Sequence, residues 1–174
     1  MLADGSTRTA AVIDDDATLA TIHALACQRQ MITQQVTIAF VDVRRTELDG
    51  RPITIARLQV QHAAALGMVR VLSASGTIPF TLQFPEVRDG AAALLELPAG
   101  TPSASTALRF TEGRCDAHAF AEAKQPFRFV LLADVGDGMP RPYVVEPDPA
   151  LQPEMLSTAA QGCAALGETG GFDP

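Results

Sequence analysis

The stretch VTIAFVDVRRTELDGRPITIARLQV, Val36–Val60, decides the fold class. Val36, Ile38 and Phe40 alternate with polar or small neighbours at the period of two that a half-buried strand requires, before Val41 and Val43 change phase. A bulge near Ala39–Phe40 accounts for that change. Asp49-Gly50 is a hairpin turn, because both central positions of such a turn need a backbone that Gly, and to a lesser degree Asp, adopts at low cost. Ile53 and Ile55 follow, then Leu58 and Val60 in the other phase, which a second bulge at Ala56–Arg57 explains. The stretch reads as one long antiparallel hairpin.

The same rhythm continues downstream. Val69 and Val71 mark a strand, and Ser73–Gly76 turns the chain, with Ser75 read as a turn residue and not a nucleophile. Ile78, Phe80, Leu82 and Phe84 alternate cleanly, and Pro79 among them removes a ladder donor, which favours a sheet edge. Turns at Arg88–Gly90 and Pro98–Gly100 separate further strands at Leu95–Leu97 and Thr106–Phe110. Phe127, Phe129 and Leu131 resume the alternation, and Tyr143–Val145 returns after the turn Gly136–Gly138. Connections this short cannot carry parallel crossovers. The expected fold is mostly β: a single antiparallel β-sandwich of seven or eight strands, immunoglobulin-like, with short N-terminal and C-terminal helices.

The helices are read from caps and spacing. Asp14, Asp15 and Asp16 offer a cap and negative charge ahead of Leu19, Ile22, His23 and Ala26, so a helix is expected over Asp16–Arg29. Alanines and Glu122 within Thr111–Lys124 predict a short helical crossing capped by Asp116, and Pro126 ends it. Pro147, Pro149 and Pro153 frame a last helix with a stripe of Met155, Leu156, Ala159 and Ala160 reaching Cys163. Residues 1–13 read as a flexible lead-in, 14–163 as the sandwich with its flanking helices, and 164–174 as a disordered tail. A split into two domains near Phe84–Gly90 is the second reading of the organisation.

Composition removes some function classes. The formal net charge is -7 and the only adjacent basic pair is Arg44-Arg45, so the electrostatic footprint of a nucleic-acid binder is missing. No apolar run approaches the length of a membrane span, and residues 1–9 lack the pattern of a signal peptide. Three cysteines leave at least one outside any intramolecular bridge.

Chemistry-bearing residues gather in Arg114–Phe129, RCDAHAFAEAKQPFRF. Cys115 and Cys163 each sit where an element ends and the chain reverses, which suits a disulfide staple between them, with Cys27 left over. Three reduced, buried thiols are the bland alternative. A third reading joins His23 and Cys27, one helical turn apart, with Cys115 and His118 as a tetrahedral zinc set. Asp116, His118 and Glu122 form a further candidate cluster with Cys115, because His118 and Glu122 stand four residues apart on one helical face. Such pairs more often lie on a solvated face. No G-x-S-x-G elbow, glycine-rich phosphate loop or H-E-x-x-H motif occurs, and no cofactor is expected.

The run R-C-D-x-H-A-x-x-E-x-K over Arg114–Lys124, followed by an aromatic strand and the late Cys163, resembles a motif of uncharacterised secreted or envelope β-sandwich proteins of high-GC bacteria. The chain departs from that pattern at Ala117 and Ala123, where the family carries Pro and Asp. The resemblance implies an exported, disulfide-containing β-sandwich and brings no activity with it. The functional expectation is an extracytoplasmic binding or structural module, secreted or in the cell envelope, with a protein or small-molecule ligand and no nucleic acid. A cytoplasmic location is the alternative, as is a small hydrolase or zinc-dependent enzyme using His118 and Glu122.

Overall fold

A computed structural model of the chain describes residues 36–62 and 67–167, together with His23 and Gln34. The helix expected over Asp16–Arg29 (His23 apart), the lead-in 1–13, Cys27 and the tail beyond Gly167 lie outside the described residues. In chain order the elements are β1 (Val36–Leu48), β2 (Arg51–His62), β3 (Val69–Ser75), β4 (Phe80–Gln83), β5 (Leu95–Leu97), β6 (Ser103–Glu112), α1 (Ala117–Glu122), β7 (Phe129–Asp134), β8 (Arg141–Val145) and α2 (Gln152–Ala165). They build two four-stranded sheets, ordered β1-β2-β6-β4 and β5-β3-β7-β8, with every pairing antiparallel. Each sheet mixes strands from before and after Phe84–Gly90.

The hairpin β1-β2 turns at Asp49-Gly50, both with positive φ. Its irregularity differs from the sequence reading in two ways. The single bulge lies on β1 between Val41 and Arg44, three residues later than expected, and β2 pairs with β6 without any shift from Thr54 to Gln61. The apparent phase change in β2 has another cause. Thr54, Ala56, Leu58 and Val60 are the inward set, while Ile53 and Ile55 are apolar residues on the outer face; Ile53 is nevertheless only 2% exposed. β4 occupies a sheet edge, and it begins one residue after Pro79, so no ladder donor is lost.

The inward faces of the two sheets bury their side chains together. At one end Val36, Ile38, Leu58 and Val60 of the first sheet cluster with Val69, Val71, Leu97, Leu131 and Ala133 of the second. At the other end the filling is aromatic. Phe129 of β7 is 0% exposed, and its ring lies 5.4 Å from Phe40, 6.0 Å from Phe80 and 5.2 Å from Phe110, all three on the opposite sheet. Aromatic edges meeting aromatic faces add to the apolar area these rings remove from water.

Helix α2 closes that end by placing Met155 and Ala159 in the aromatic cluster. Pro153 stands in its first turn, where a missing N–H costs nothing. Gly162 allows the helix to lie close against the hairpin: a Cβ there would sit 3.3 Å from the carbonyl oxygen of Pro52 and 3.4 Å from the Glu112 carboxylate. Gly113 serves the segment after β6 in the same way. Its N–H donates to the Pro79 carbonyl at 3.0 Å, the next N–H donates to Ile78 at 2.9 Å, and any Cβ on Gly113 would collide with the Ile78 carbonyl. This close passage delivers Cys115 to the last turns of α2.

Candidate functional site

The Arg114–Glu122 segment is where sequence placed the chemistry. Cys115 and Cys163, both buried, bring their Sγ atoms to 2.10 Å and their Cα atoms to 5.4 Å across a separation of 48 residues. With its sulfur so engaged, Cys115 is not grouped with His118 as a metal ligand pair, and Cys27 lies outside the described residues. Among the described residues no group of three or more His, Cys, Asp and Glu side chains is arranged to hold a metal ion.

Asp116 is held by Arg114, whose Nε lies 3.1 Å and Nη2 3.0 Å from Oδ2. His118 Nε2 and Glu122 Oε1 do meet across one helical turn, at 3.3 Å. Their side chains are 78% and 65% exposed, on a helix of only six residues. Water surrounds both groups, and general acid/base work gains little from a pair so hydrated. His23, the remaining member of the zinc reading, is exposed.

The structure assembles a different surface that the linear sequence does not announce. Alternation along β1 first sends Thr37, Ala39 and Val41 to the outer face of the β1-β2-β6-β4 sheet. The bulge then inverts the parity, sending Val43 into the aromatic end of the core, Arg45 to Gln161 of α2 at 2.8 Å, and Arg44 outward. Asp42, at the bulge, carries a φ of 54°, a conformation that Asp tolerates better than most residues. Arg44 thereby stands opposite Ile55 of β2, and Ile55 opposite Arg109 of β6. With strands about 4.8 Å apart, the Cα atoms of the two arginines are separated by about 10 Å, with Ile55 between them. Arg57, one step further along the same face of β2, donates from Nε to the Ser105 hydroxyl at 3.0 Å.

These three arginines line a concavity of about 580 Å³, whose floor includes Ile53 and Ile55 and whose wall is completed by Asp42, Glu47 and Glu86. Glu86 is oriented by the Ala107 N–H, which donates to its carboxylate at 3.2 Å. Three cations and three anions share one hollow, yet no ion pair forms among them. Elsewhere four arginines are paired with carboxylates: Arg51 with Glu112, Arg114 with Asp116, Arg70 with Asp134 at 2.6 Å, and Arg141 with Asp137 at 2.5 Å. The last two pairs brace the β7-β8 turn. Asp134, 2% exposed, also accepts the N–H groups of Gly136 at 2.9 Å and Gly138 at 3.1 Å. The Arg70 guanidinium, helped by those two N–H groups, holds its carboxyl below the usual range against the opposing effect of burial.

Compared with protein-family models, curated proteins and solved structures, the chain matches none. No helix among the described residues is long and apolar enough to cross a membrane.

Proposed function

We propose that this chain is an extracytoplasmic binding module on an immunoglobulin-like sandwich, and that its ligand meets it on the outer face of the β1-β2-β6-β4 sheet. The observation that carries this reading is the concavity lined by Arg44, Arg57 and Arg109, whose charges have no carboxylate partner among the described residues. Concave sites with a partly apolar floor and a few convergent polar groups are where small ligands and peptide termini bind.

Support for the finer fold comes from strand order. The succession β1-β2-β6-β4 opposite β3-β7-β8 follows the A-B-E-D and C-F-G order of constant-type immunoglobulin domains, with β5 added beside β3. The chain lacks Trp, and its cysteine pair joins the α1 entry to α2 instead of bridging the two sheets. Support for export comes from that pair. A bridge closing so long a loop contributes a large share of a domain's stability only where thiols are oxidised. The resemblance of Arg114–Lys124 to bacterial secreted and envelope proteins points the same way.

The hydrolase alternative would require His118 and Glu122 to converge on a substrate away from bulk water, and their exposure favours the binding reading. The test is hydrogen–deuterium exchange of the intact protein with fractionated extract of the native organism's envelope. Protection over residues 42–57 and 105–109 is the expected result. Protection confined to residues 116–122, or hydrolytic turnover abolished by His118→Ala and Glu122→Gln, overturns the proposal.

A further inference from the structure

Resting on that reading of the sheet face, we infer that the concavity takes a small hydroxylated oxyanion, a sugar acid or a sugar phosphate, with Arg44 and Arg109 binding the anionic group. Guanidinium groups present planar donor pairs that match the oxygen pairs of carboxylates and phosphates. Arg51, Arg70, Arg114 and Arg141 spend such donors on carboxylates of this chain, whereas Arg44 and Arg109 flank Ile55 with no carboxylate among the described residues in ion-pair range. Their stems rise from β1 and β6, the two strands that flank β2, on either side of one apolar residue, so one anionic group above Ile55 is within reach of both.

The acidic wall narrows the class further. Asp42, Glu47 and Glu86 balance the three arginines, and the whole chain is at -7, so a polyanion would be repelled by the wall and by the protein's own field. Carboxylates accept hydrogen bonds and donate none. A ligand that fills the hollow must therefore carry donors as well as an oxyanion, and hydroxyl groups supply them. Ile55, half-buried beside the covered Ile53, offers the C–H face of a sugar ring an apolar floor, and about 580 Å³ admits a monosaccharide derivative with room to spare. Arg57, steadied by Ser105, borders the same hollow and adds positive potential without having to move.

The experiment is isothermal titration calorimetry on the full chain with four probes: glucuronate, a glucose phosphate, methyl glucoside and inorganic phosphate. Saturable one-site binding of at least one of the two charged sugars, tighter than methyl glucoside or phosphate, is the expected result; which of them binds tighter identifies the oxyanion. Arg44→Gln and Arg109→Gln should each weaken it by about tenfold or more, as loss of a charge-assisted hydrogen bond does. Arg88→Gln, outside the concavity, should leave it unchanged, and circular dichroism reports whether each variant is folded. Binding that survives both glutamine substitutions, phosphate binding as tightly as either sugar, or methyl glucoside binding equally well overturns the inference. Failure of all four probes, with envelope extract still protecting residues 42–57 and 105–109, overturns the ligand class and leaves the site standing; protection elsewhere removes the site as well.

Discussion

Breaking the Cys115–Cys163 link should cost the protein about 4 kcal/mol, and the figure follows from where the two residues lie. The link closes a loop with a sequence separation of 48. In the chain-entropy model a crosslink of that span removes about 14 cal/mol/K from the unfolded ensemble, or about 4 kcal/mol near room temperature. A domain of this length shifts its Tm by about 2–4 °C per kcal/mol, so the midpoint should fall by about 8–16 °C. The native state has little to lose enthalpically on reduction, because α2 remains seated through Met155, Ala159 and the close approach at Gly162. The measurements are thermal unfolding for the Tm and urea unfolding for the free energy, both followed by circular dichroism, since the chain has no Trp and one Tyr. They are made on a Cys27→Ser background so that reduction reads this pair alone, with and without a dithiol reductant. Cys115→Ala with Cys163→Ala should reproduce the reduced curve to within about 1 kcal/mol, the worth of the few buried atoms removed. Equal midpoints for oxidised and reduced protein, or three free thiols in the denatured wild type prepared without reductant, would refute the reasoning and with it the main support for an oxidising compartment.

Two further outcomes test the core and the β7-β8 turn. Phe129→Ala empties the position that three rings of the opposite sheet share, and should destabilise by about 3–5 kcal/mol in urea unfolding, with Phe129→Leu costing clearly less; a loss under about 1 kcal/mol would mean that the rings do not depend on it. Asp134 has a folded pKa below its ordinary value of 3.8, so its contribution is complete above that value and is lost as pH falls through the lower folded value. Asp134→Asn should therefore lower stability at neutral pH and flatten the acid limb of the urea-midpoint profile below about pH 4, and an unchanged limb would show that this carboxyl is not a source of acid sensitivity.

How much of this was legible in the sequence depends on the range of the signal. Period-two alternation and turn residues are local, and they located β1, β2, β3, β5, β6, β7 and β8 together with the edge position of β4. The bulge expected on β2 failed because Ile53 and Ile55 are apolar on an outer face, and apolarity alone cannot say which face of a strand is buried when the opposite face is half-covered by long neighbours. The cluster at Arg114–Glu122 was conspicuous because its residues are adjacent in the chain, and adjacency is what a short helix converts into an exposed ladder of i, i+4 contacts.

The arginine-lined hollow had no such signal. Arg44, Arg57 and Arg109 come from three strands, and they share a face only because the β1 bulge inverts parity after Val41 and because β2 and β6 keep register from Thr54 to Gln61. Remove the bulge, and Arg44 faces the core while Val43 faces water. The cost of burying that guanidinium, set against the gain from burying Val43 beside the aromatic cluster, selects the bulged register. The same balance that folds the hairpin therefore creates the charged surface, and a sequence reading could have found it only by treating the phase change at Val41–Val43 as a statement about where Arg44 must point.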